Sequence, residues 1–154
     1  MARSNRQLTQ FAVNKVRQYL VLGPDEFVDE AAGNTRVSFF SCSQCERKTV
    51  KICLYGKKIM ELVVNPLNPR VIAGMFICSG DFYDSKGRPS RTTRERLNGL
   101  LDALGQAGFI PEGVRVFIRE DGTCNVGKGD ACKQFDAGKP VIGMLSHPND
   151  LVFA

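Results

Sequence analysis

Apolar residues recur along this chain in two rhythms, and the change from one to the other sets out its elements. Over the first two dozen residues the spacing is helical. Leu8, Phe11, Ala12, Val16, Tyr19 and Leu20 make one apolar stripe, and Ser4 and Gln7 stand ahead of it at capping-box spacing. Gly23 and Pro24 follow as a helix stop, glycine supplying the left-handed cap and proline barring continuation. The pattern predicts an N-terminal helix within 1–23.

From residue 36 the rhythm shortens to two. After an acidic stretch, 24–35, that reads as a loop, "RVSFFS" and "KTVKICLYG" alternate as strands do, with Val50, Ile52 and Leu54 on one face. "KIMELVV" follows a turn placed at Gly56-Lys57, which makes an antiparallel meander over 36–64. "NPLNP" breaks the pattern, and "RVIAGMFIC" is apolar throughout, as a central strand buried on both faces would be.

Helical spacing returns with Leu97, Leu100, Leu101 and Leu104, at i, i+3, i+4 and i+7. Thr92 and Glu95 have capping-box spacing, which makes Thr92 the expected N-cap and Ser90 the alternative; Gly105 or Gly108 marks the end. "GVRVFIRE" and "GTCNV" then predict a hairpin across Asp121-Gly122, and "PVIGMLSHPNDLVFA" one more short edge strand. The fold class is α+β: a single domain over 1–154, with a mixed, mostly antiparallel sheet and both helices packed on one face. Its blocks are the helix of 1–23, the meander of 36–64, a strand, loop and helix over 71–110, and the hairpin and last strand of 113–154.

Composition narrows the class. The chain has 154 residues, enough to bury a core without disulfide staples, and its 43% apolar content is that of a globular protein. No run of eighteen apolar residues exists to cross a membrane. The N-terminus has no continuous apolar segment of the secretory kind. Its lack of acids before Asp25 fits a transit peptide less well than it fits a basic-faced helix bearing Arg3, Arg6, Lys15 and Arg17. The net charge of +5 leans towards polyanionic partners.

Six cysteines without a secretion signal point to a reducing, cytoplasmic compartment rather than a disulfide framework. Cys42 and Cys45 form "CSQC", a knuckle spacing that lets two thiolates meet one Zn²⁺ at about 2.3 Å. There is no second C-x-x-C pair, so the candidates to complete the site are Cys53, Cys78, Cys124, Cys132 and His147, of which the last hairpin could bring Cys124 and Cys132 to the knuckle as in a zinc ribbon. A redox pair or inert thiols are the alternatives, and Cys53 and Cys78, in apolar strands, read as core residues. The single histidine, His147, excludes two-His phosphoesterases and H-E-x-x-H metalloproteases.

Two near-motifs carry little. "GTCNVGKG" matches G-x-x-x-x-G-K, but Gly129 stands where a P-loop needs the hydroxyl that holds Mg²⁺, and Gly138 and Pro140 break the helix that should follow. Turn geometry explains the same glycines, leaving Lys128 as a basic tip that could touch phosphate. "PDE" at 24–26 with "ERK" at 46–48 resembles the carboxylates and lysine of restriction-type nucleases, in a match short enough to recur by chance.

The sharpest feature is "SKGRPSRTTRER". Lys86, Arg88, Arg91, Arg94 and Arg96 crowd a helix start that already carries positive partial charge, against the one acid Glu95. With the hydroxyls of Thr92 and Thr93 and free backbone N–H groups, these are the parts of an oxyanion site, and Tyr83 could add a stacking surface. Three functions follow. The first is a small non-catalytic module that binds nucleic acid or another polyanion, stabilised by zinc if the cysteines converge. The second is a protein-interaction component that meets an acidic protein surface, such as a virus-encoded inhibitor, an adaptor or a structural subunit. The third is an enzyme acting on phosphoesters, with Asp81 or Asp84 holding a metal.

Overall fold

A computed structural model of the protein describes residues 3–24, 26–41, 48–64, 72–77, 88–135, 141–147 and 150–153, the last strands by their backbone alone. The first helix, α1 (Asn5–Leu22), begins and ends as its sequence predicts. Ser4 Oγ accepts from the Gln7 N–H at 3.2 Å, the Gln7 side chain accepts from the Ser4 N–H at 2.8 Å, and Gly23 closes the helix in the left-handed conformation. Leu8, Ala12, Val16, Tyr19 and Leu20 are buried together with Val13, and Phe11 packs against the same core.

The strands β1 (Val28–Ala32), β2 (Thr35–Ser41), β3 (Lys48–Leu54), β4 (Lys57–Val64) and β5 (Ile72–Ile77) follow as a continuous meander. Two strands from the end of the chain, β9 (Val141–His147) and β10 (Asp150–Phe153), extend it to seven in the order β1-β2-β3-β4-β5-β9-β10. Every pairing in this sheet is antiparallel. Val37, Phe39, Val50, Ile52, Leu62 and Met75 are buried on its inner face, with the Tyr19 ring of α1 lying 6.1 Å from Phe39. The second helix, α2 (Arg91–Gln106), lies beside α1 on that face, with Leu97, Leu100, Leu101 and Leu104 buried.

A second sheet of three strands, β6 (Arg115–Ile118), β7 (Cys124–Lys128) and β8 (Ala131–Gln134), packs along the other flank of α2. Asn98 of α2 joins the two: its side-chain amide donates to Val116 O at 3.0 Å and accepts from Val116 N–H at 2.7 Å, as a neighbouring strand would. Val116, Cys124, Val126 and Phe135 belong to the same hydrophobic cluster as the helices and the large sheet, so one core serves the whole α+β fold.

Several local expectations are corrected. The acidic stretch 24–35 contains β1, whose Asp29 accepts from Ser38 Oγ at 2.8 Å and pairs with Arg36. The turn between β3 and β4 is Tyr55-Gly56, both at positive φ, the geometry that matches strand twist in a two-residue hairpin. The hairpin at Asp121-Gly122 has a five-residue loop, held by Arg119 N–H donating to Thr123 O at 2.8 Å and by Asp121 accepting from the Thr123 N–H at 2.9 Å. Beyond it, "VGKGDA" turns again into β8, which places the glycines of the P-loop look-alike in strand and turn. The C-terminal segment supplies two strands rather than one.

Candidate polyanion-binding site

The loop-and-helix start is built differently from its sequence reading. Ser90, not Thr92, is the N-cap of α2: its Oγ accepts from the Thr93 N–H at 3.3 Å and lies 2.9 Å from the Thr93 hydroxyl. Glu95 does not close a capping box. It accepts from Arg91 Nε at 3.0 Å and from the side-chain amide of Asn5, at the start of α1.

Arg96 is the largest departure. It is fully buried and donates from Nη1 to Thr35 Oγ1 at 2.9 Å, from Nη2 to Asn5 Oδ1 at 2.8 Å and from Nε to Thr9 Oγ1 at 3.2 Å. One guanidinium thus fastens α1, α2 and the first residue of β2. Burial lowers its pKa and the nearby Glu95 opposes the shift; a guanidinium still keeps its proton under such conditions. Thr93 is also fully buried. Thr93 and Arg96 were both expected to meet an anion, and both are withdrawn from solvent into structural bonds.

What Arg96 fastens together creates a site that the local sequence does not show. Asn5 lies beside Glu95 and Arg96, Thr9 beside Gly99 and Arg96, and Val13 and Arg17 share a groove with Asp102, Ala103 and Gln106. Contacts that advance in step along both chains mean that α1 and α2 run parallel. Their N-termini therefore lie side by side, and neither first turn contains an acid. Each helix start contributes positive partial charge and free N–H groups. Arg3 and Arg6 come from α1, Arg91 and Arg94 from α2. Arg3 lies over the Phe11 ring, 5.7 Å from its centroid, and Arg6 is exposed. The Arg91 side chain keeps 85% of its accessible surface, and its pair with Glu95 runs in the order that the helix dipole does not favour. Exposed pairs of this kind contribute about 0–1 kcal/mol and leave the arginine available.

The other expected residues disperse. Arg88 is half-buried and leans on the β6–β7 loop, donating to Gly122 O at 3.4 Å. Thr92 is half-buried in the first turn of α2. Lys128 lies over Gly113, beyond the C-terminal end of α2, roughly 20 Å from Arg91 at 1.5 Å per helical residue. Tyr83 and Lys86, like Asp81 and Asp84, lie outside the described residues.

The metal expectation divides in the same way. Cys42 and Cys45 lie outside the described residues. Cys132 stands opposite Gly127, three positions from Cys124, and an odd separation places the two on opposite faces of the hairpin. Cys124 faces the core, while Cys132 Sγ accepts from Arg119 Nη1 at 3.3 Å. These two thiols do not converge on one ion from this hairpin. Among the described residues no three of His, Cys, Asp and Glu gather as metal ligands, and no helix is long and apolar enough to cross a membrane.

Comparison with protein-family models, with curated proteins and with solved structures yields no match for this chain.

Proposed function

We propose that the protein binds nucleic acid, or another polyanion of similar charge density, at the paired starts of α1 and α2. The observation that carries this reading is the parallel alignment of the two helices, which puts Arg3, Arg6, Arg91 and Arg94 at one end with Glu95 as the acid among them. Two helix starts side by side repel each other through their dipoles and attract the same anion. Guanidinium forks then supply bidentate contacts to phosphate oxygens.

The test is a binding titration with labelled single- and double-stranded DNA and RNA at two salt concentrations. Three to five phosphate contacts predict that log K falls with log salt at a slope of about −3 to −4.5 on duplex DNA and about −2 to −3.5 on single strands. Arg91→Glu with Arg94→Glu is expected to abolish binding, whereas Lys128→Glu, at the far end of α2, leaves it within about twofold. Salt-insensitive binding, or none to any of the four probes, would sink the proposal.

A further inference from the structure

The groove between α1 and α2 has walls of opposite charge. It opens on the outer side of the helix pair, with a volume of about 440 Å³, and Val13, Gly99 and Ala103 form its small-residue floor. Arg6 and Arg17 stand on the α1 bank, Glu95 and Asp102 on the α2 bank. The arginines are exposed and form no ion pair among the described residues. The acids already touch Arg91 and Arg115, yet their side chains keep 45% and 44% of their accessible surface, enough to receive a second guanidinium.

We infer that this face is the interface of a two-fold symmetric dimer, in which α1 of each copy packs on α2 of the other. A surface that is cationic along one side and anionic along the other is complementary to itself. A two-fold axis parallel to the helices turns α1 onto the second copy's α2 without reversing its direction, and each contact occurs twice, as an isologous interface requires. Arg6 then stands level with Glu95 of the second copy, because Asn5 and Glu95 are neighbours within one chain. Arg17 lies about one turn further along α1 than Asp102 lies along α2; both side chains lean towards their N-termini, and the greater length of the arginine is what carries its guanidinium back towards that carboxylate. The floor of small residues gives room for the opposing side chains.

Size sets the strength. Two helices of 16 and 18 residues offer a strip about 25 Å long and about 20 Å wide. That buries about 500 Å² per copy, at the low end for specific interfaces, so the dimer is transient. The same axis keeps all four helix starts at one end. If the polyanion reading also holds, two arginine clusters face one ligand, although the interface does not depend on that reading.

Sedimentation equilibrium of the full chain over about 5–500 µM, at low salt, tests it. The apparent mass is expected to rise from 17.0 kDa towards twice that value with concentration. Arg17→Asp and Asp102→Arg are each expected to weaken the dimer by about tenfold or more, and the two together to restore it. Circular dichroism checks that each variant folds. Should Asp102→Arg unfold beside Arg115, Asp102→Asn, which only removes attraction, is expected to weaken association by about threefold. A chain that stays monomeric over the whole range overturns the inference. So does a dimer indifferent to Arg17→Asp, or one that the double exchange leaves dissociated.

Discussion

The two helix starts were written in similar words and built in different ways. At α1, Ser4 and Gln7 form the reciprocal cap that their spacing implies, and among the described residues no other partner takes either side chain. At α2, Thr92 and Glu95 have the same spacing, but Asn5 and Arg91 take the Glu95 carboxylate and Ser90 caps in place of Thr92. The arginines divide likewise. Arg6, in the first turn of α1, faces solvent, while Arg96, in the second turn of α2, is the most deeply buried charge described. Local spacing decides a cap where the surroundings are solvent, and tertiary partners decide it where a second helix starts alongside.

The strongest way to break this comparison is to remove Arg96. Its three hydrogen bonds to Asn5, Thr9 and Thr35 join elements that are distant in sequence, and hydrogen bonds to a charged donor contribute about 1.5–3 kcal/mol each before desolvation is set against them. Arg96→Ala leaves a cavity and strips the donor from three side-chain acceptors, and is expected to cost about 3–5 kcal/mol, read as a fall in the urea midpoint at unchanged slope. Arg6→Ala and Arg91→Ala should stay within about 0.5 kcal/mol of the native protein. Equal effects from all three would mean that Arg96 is a surface residue after all.

Next comes the place where the helices touch. A Cβ at Gly99 would fall inside the contact distance of Thr9 Cγ2. Thr9 cannot turn aside cheaply, because its hydroxyl accepts from Arg96. Gly99→Ala, which in a free helix would stabilise by about 1 kcal/mol, is therefore expected to destabilise by about 1–3 kcal/mol. Thr9→Ser removes the obstructing methyl and keeps the hydroxyl, so it should rescue Gly99→Ala in a double-mutant cycle. A Gly99→Ala variant that is simply more stable contradicts the close approach.

How much of this was legible in the sequence follows the same line between local and distant. The apolar phases of α1 and α2 and the β2–β5 meander could be read directly, since a period of 3.6 or 2 is a property of neighbouring residues. β1 was missed because Asp29, Glu30 and Ala31 carry the weak apolar signal of an edge strand, and β8 because "KGDACKQ" is polar and short. Half of the candidate site was visible as a run of arginines in one segment. Its other half, Arg3 and Arg6, was visible as part of the basic face of α1, with nothing to join it to the arginines of α2. Nothing in the spacing says that residues some ninety positions apart share an end; the pairing of Asn5 with Arg96 says it.

The caps themselves offer a smaller test. Ser4→Ala and Ser90→Ala are each expected to cost about 1 kcal/mol, the usual loss for a hydroxyl N-cap. Thr92→Ala, at the position favoured by the capping-box spacing, should change stability by only a few tenths. If Thr92→Ala were the costlier of the two at α2, the sequence reading would have been right and the cap assignment wrong.

The smallest effect at neutral pH belongs to the far end of α1. The Tyr19 hydroxyl is buried without a hydrogen-bond partner, and Glu30, itself 2.5 Å from Lys15, stands near it. Burial first, then the negative charge of Glu30 and the pull of its carboxylate on the phenolic proton from just outside hydrogen-bond geometry, and last the charge of Asp29, push the Tyr19 pKa from about 10 up to about 12. A folded pKa above the unfolded value means that folding favours the protonated phenol. That contribution is complete below pH 10 and is lost as pH rises through 12. Tyr19→Phe keeps the ring against Phe39 and removes the ionisation, so at pH 7 it should lie within about 0.5 kcal/mol of the native protein. The two proteins differ only in this hydroxyl, so the difference between their stability curves reports on the phenol. The native curve is expected to fall faster than that of Tyr19→Phe between pH 10 and 12, and parallel curves there would show that the hydroxyl is not confined as the helix packing places it.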